Sequence, residues 1–141
     1  MQGCRGILGN LHGKVTTVPG SPLHDAGCNV LHMQMTDIPF ETVDWSAVTP
    51  TVHPGETGIA HWRTQQFGAI RVRMVEYSSD YRADHWCEKG HILLVLDGVV
   101  DTELADGRTV RLTAGMSYQV GDGAMAHRST TAGGARLFIV D

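Results

Sequence analysis

The chain has 141 residues, 42% of them hydrophobic, and a formal net charge of −4 from 11 basic and 15 acidic side chains. That length suits one domain with a real core and crowds two. Both signs of charge are mixed along the chain, with no basic run or basic-aromatic stripe, which argues against a nucleic-acid partner; no stretch approaches the roughly 20 apolar residues of a membrane span.

Residues 1–34 carry scattered Gly, Pro, Asn and His with no apolar period, and are expected to form a flexible leader ahead of a folded domain at 35–141. The leader lacks the continuous apolar segment of a secretory signal. Its His24-Asp25-Ala26-Gly27-Cys28 tract, with Cys4, His12 and His32 nearby, reads more simply as a polar tail than as a metal site. Order begins near Met33-Gln34-Met35, so translation starting there is a further expectation. Three cysteines, Cys4, Cys28 and Cys87, are too few and odd in number for a disulfide framework. A Cys4–Cys28 bridge is the minor alternative. A reducing, cytoplasmic compartment is therefore expected.

From residue 40 the signals are all β. Residues 59–66 read as one strand, followed by a Phe67-Gly68 turn and a second strand in which Ile70, Val72 and Met74 alternate with Arg71, Arg73 and Val75. Residues 91–96 are apolar on both parities and predict a strand covered on both faces. Asp97-Gly98 predicts a bend, and Asp106-Gly107 a hairpin after a strand at 99–104. Strands at 109–112, 116–120 and 136–140 complete the set. Short strands at this spacing suggest a sandwich or closed barrel.

The chemically informative stretch is Asp84-His85-Trp86-Cys87-Glu88-Lys89-Gly90-His91. On a strand, His85 and Cys87 leave the same face. If Glu88-Lys89-Gly90 closes a hairpin, Cys87 and His91 face each other across it, with β-carbons roughly 5 Å apart. Three donors of borderline softness then converge, which favours a transition metal over calcium or magnesium. Taken singly, each also has a plain structural explanation: a surface histidine, or a cysteine acting as a small apolar group.

These residues resemble a known family. His85-x-Cys87-x3-His91-x6-Gly98 has the spacing of the first cupin signature, with Cys in the second His position and His in the Glu position; the signature's initial Gly is missing. Gly123-Ala124-Met125-Ala126-His127 occupies the place of the second signature. Asp84-His85-Trp86-Cys87 is similar to the motif that labels a small group of bacterial DHCW cupins. The resemblance implies an all-β, cupin-type double-stranded β-helix or jelly-roll barrel over residues 35–141. It further implies a divalent transition metal (Zn, Fe, Ni or Mn) held by His85, Cys87, His91 and His127, and pairing as a homodimer.

Cysteine 87 divides the functional alternatives. Three histidines alone leave an open metal suited to small-molecule chemistry of the oxygenase, isomerase or lyase kind. A Cys87 thiolate as fourth ligand closes a tetrahedron and favours structural zinc in a non-catalytic metal- or ligand-binding module. An interaction domain working through dimers is the third reading. Arg73 and Tyr118 are candidates for the pocket and Trp86 for its mouth, while Asp84 is a candidate hydrogen-bond support for a ligand histidine. Each has a bland counterpart: a solvated arginine, a core tyrosine, a packing tryptophan and a strand cap.

Overall fold

The computed structural model describes residues 35–141. The leader, its His24–Cys28 tract, the Cys4–Cys28 pairing and the start at Met33 lie outside the described residues. Every regular element described is a strand: β1 (Thr51–Pro54), β2 (Ile59–Phe67), β3 (Ile70–Tyr77), β4 (Tyr81–Arg82), β5 (His91–Leu104), β6 (Thr109–Thr113), β7 (Ser117–Val120), β8 (His127–Thr131) and β9 (Ala135–Val140). Among these residues no helix is long and apolar enough to cross a membrane.

All pairings are antiparallel. One face of the fold runs β1-β2-β3-β9-β5-β7. The other is built from β6, β5, β8 and β4. Strand β5 belongs to both: its first half pairs with β7 and β9, its second with β6 and β8. The expected Asp97-Gly98 bend is the corner between them, a bulge at Val95/Asp97 inside one continuous strand. Gly98 sits there at φ 80°, and a Cβ on it would lie 2.3 Å from the Gly134 carbonyl oxygen. Only glycine fits that conformation and that approach.

The core lies between the two faces and contains Val75, Leu93, Val95, Val100, Leu112, Leu137 and Ile139, all nearly inaccessible. These residues share a face in register: Val75 pairs with Leu137, Leu137 with Val95, and Ile139 with Leu93. The same parity carries Arg73 inward, opposite Ile139. The apolar Ile70, Val72 and Met74 therefore lie on the outer side of β3. There the segment from Met35 to Trp45 packs against part of the sheet, with Trp45 edge-on to Phe138 at 6.4 Å.

Two expectations need correction. Residues 91–96 are not covered on both faces: Ile92 is 47% and Leu96 37% exposed. The 83–90 segment is not a hairpin arm either. Cys87 forms an isolated bridge with His127, and His91 pairs with Val120.

Candidate metal centre

Two neighbouring strand ends and one loop assemble the site. Reciprocal backbone hydrogen bonds, Cys87 N–H to His127 O at 2.7 Å and His127 N–H to Cys87 O at 3.0 Å, set the thiol beside β8. The 88–90 loop is stitched to the β7–β8 connection by Gly90 N–H to Asp122 Oδ1 at 2.8 Å and Gly123 N–H to Glu88 O at 2.8 Å. A Cβ on Gly90 would meet Asp122 N at 2.7 Å, so glycine permits this closeness. His91 enters from the start of β5.

The donor atoms of Cys87, His91 and His127 all lie within 4.8 Å of one another. His127 is buried, and its Nδ1 lies 2.8 Å from the Met125 carbonyl oxygen. A carbonyl only accepts, so Nδ1 carries the proton and Nε2 presents a lone pair. That lone pair faces His91 Nε2 at 3.1 Å, and His91 Nε2 is 2.8 Å from the Tyr118 hydroxyl. Two imidazole nitrogens bound at ~2.0–2.1 Å to one tetrahedral ion stand about 3.3 Å apart. The histidine pair already has that spacing.

Burial, reinforced by the neighbouring His127 and Arg73, lowers His91 to about 4. The imidazole is therefore neutral near pH 7, as a ligand must be. Cys87, the one cysteine among the described residues, is free, and its Sγ makes only a 4.0 Å contact to Lys89 O. One imidazole pair and one free thiol, with no carboxylate in the group among the described residues, fit a borderline transition metal.

Other expected residues are distributed around this group. His85 lies outside it, with 68% of its side chain exposed and Nδ1 2.6 Å from Asp84 Oδ1. Without a strand at 83–86, His85 and Cys87 no longer share a face. Asp84 holds His85, which is not one of the gathered donors. His85 still lines, together with Cys87, His91, Tyr118 and Arg73, a cavity of about 80 Å³. Trp86 does not line it; the Arg128 guanidinium, which does, lies over the Trp86 ring at 4.7 Å.

Arg73 is buried rather than solvated, its NH2 group 2.5 Å from Asp141, which also holds Arg71 at 2.7 Å. Burial pushes the Asp141 carboxyl up, and the two guanidiniums more than offset that, leaving it below the usual range. Trp62, not among the residues the sequence singled out, lines the cavity as well. Its parity was the available signal, because Ala60, two residues earlier on β2, is fully buried. Asp141, 68 residues from Arg73, gave no local signal.

In sequence, no protein-family model matches the chain, and no curated protein matches it significantly. In three dimensions it is similar to a predicted oxalate decarboxylase from Thermotoga maritima, with TM-score 0.62 and 15% identity over 71% of this chain and 96% of that one. It is similar to a sugar phosphate isomerase of the cupin superfamily from Silicibacter pomeroyi, with TM-score 0.56 and 13% identity over 71% and 74%. It also resembles an Fe(II)-bound HppE, with TM-score 0.53 and 17% identity over 65% and 55%. Antiparallel strands curled into a jelly roll, together with these likenesses, define a small cupin-fold protein. Within that fold, the gathered donors of this chain are Cys87, His91 and His127.

Proposed function

We propose that this protein is a metal-dependent enzyme acting on a small molecule at an open three-donor site. The observation that carries this reading is the convergence of Cys87, His91 and His127, with no fourth donor in the group among the described residues, where Cys87 and His91 line a cavity. Three protein ligands with a vacant position are the pattern of catalytic rather than structural sites. A bound ion would supply Lewis-acid chemistry there. The chain's own residues do the rest. Tyr118, its hydroxyl raised by burial, keeps its proton and stands 2.8 Å from His91 Nε2 at the cavity wall. Arg73 supplies a fixed positive charge. The similar folds carry decarboxylase and isomerase names, and one binds Fe(II), which agrees with small-molecule chemistry in this architecture. A free thiol among the donors suits the reducing cytoplasm, and the exposed Ile92 and Leu96 suit a homodimer.

A second reading is a closed, structural zinc site in which His85 supplies the fourth ligand. It is favoured by His85 lining the same cavity. Metal analysis of protein purified without added metal separates the two. The open-site reading expects about one ion per chain, retained in His85→Ala and lost in both Cys87→Ser and His127→Ala. Loss of metal and of thermal stability in His85→Ala favours the closed site. A stable wild-type protein without metal sinks both and leaves the interaction-domain reading.

A further inference from the structure

The cavity beside Cys87 is lined by three residues carrying buried nitrogens that have no partner, Trp62 Nε1, Arg73 Nε and His91 Nδ1, of which the first two are obligate N–H donors. Leaving such a donor unsatisfied is costly, so two of them around one cavity call for an acceptor. Both are held firmly. The Arg73 guanidinium lies over the Trp62 ring at 4.5 Å, and His53 stacks on the same ring at 3.9 Å.

Charge gives the acceptor its sign. No Asp or Glu lines the cavity. The Asp141 side-chain carboxylate is shared by Arg71 and Arg73. Arg128, the other arginine in the wall, shares Glu103 and Glu56 with Arg82, two cations against two carboxylates. Arg73 brings a buried guanidinium to the cavity, beside the apolar Leu93 and Ile139. Size sets the last limit: about 80 Å³ holds the equivalent of two to three waters, far below the roughly 300 Å³ at which drug-sized pockets begin.

We propose that this cavity binds a small carboxylate of a few non-hydrogen atoms, which accepts hydrogen bonds from Trp62 Nε1 and Arg73 Nε. The inference deepens the metal-enzyme reading by naming its substrate class, and rests on that reading for the role but not for the binding. A guanidinium with an indole N–H gives a charge-assisted, directional contact that a neutral amide of equal size cannot match.

The test is a titration of the full chain with sodium acetate, and with acetamide as the neutral isostere, following the Trp62 indole N–H resonance by two-dimensional NMR. The Trp62→Phe variant assigns that resonance by its disappearance. Acetate should shift it saturably, with acetamide at least tenfold weaker. Trp62→Phe, followed by backbone resonances, should weaken acetate about tenfold or more while metal content stays unchanged. Arg73→Lys should weaken it similarly; because that variant disturbs a buried ion pair, Trp62→Phe is the deciding one. Equal affinity for acetate and acetamide, or an unchanged acetate Kd in Trp62→Phe, overturns the proposal. Repeating the titration after chelation separates the two readings. Acetate binding that survives without metal supports the carboxylate site even if the chain proves to hold no ion. Metal-loaded protein whose indole resonance ignores acetate ends the carboxylate site and leaves the metal reading standing.

Discussion

His91 lies against His127 and Tyr118, with Arg73 near enough to disfavour a further positive charge. Its folded-state value of about 4 lies below the ordinary 6.5. The unfolded chain therefore binds the proton first, and metal-free protein should lose stability as pH falls from about 6.5 toward 4. Above that window the residue contributes no slope. Urea denaturation of chelated protein at pH 7.5, 6 and 5 should show the decline, and His91→Phe should flatten it. Asp141 offers a second residue-scale prediction. Its carboxylate is 7% exposed and serves both Arg71 and a buried Arg73. Removing one partner of a buried pair leaves the other uncompensated, so Asp141→Asn should cost about 3 kcal/mol. The check is a thermal midpoint lowered by about 10 °C or more.

At the scale of elements, β5 depends on Gly98. A side chain there has to hold φ 80° and displace the Gly134 backbone at once. Gly98→Ala should destabilise by about 2 kcal/mol or more, whereas Gly107→Ala, in the β5–β6 hairpin with nothing within 4 Å, should be milder. Comparing their denaturation midpoints checks both. Much of the element pattern was legible, because β2, β3, β6, β7 and β9 carry apolar side chains at strand spacing. β8 was not. Its inward residues are His127, Ser129 and Thr131, polar groups that give no hydrophobic alternation. β3 was found, and Arg73 stood out as a pocket candidate, but nothing in the alternation says that Ile70, Val72 and Met74 form the outer side, against residues 35–45. The site shows the same division. Cys87, His91 and His127 were readable from spacing and signature, yet their meeting depends on a Cys87–His127 bridge between distant segments, which no local pattern reports. His85 was misaligned because the strand assumed for residues 85–87 does not form.

At the scale of the whole molecule, the outer side of the β3-β9-β5 sheet is apolar and only partly covered. Val72, Val140 and Ile92 lie in register across it, and Ile92 is left 47% exposed. A dimer closing over this edge should dissociate in Ile92→Lys, seen as a halved mass in sedimentation with the metal content retained. A wild-type monomer would remove that expectation.

The course of β5 from one sheet into the other has a further effect. Since Leu93 and Val95 are hydrogen-bonded on one side of the corner and Val100 and Thr102 on the other, neither half can open while its continuation stays in place. Amide protons along the whole strand should therefore trade with solvent deuterium only through global unfolding, at a common free energy. The barrel should then come apart as one piece, with its donor atoms released together.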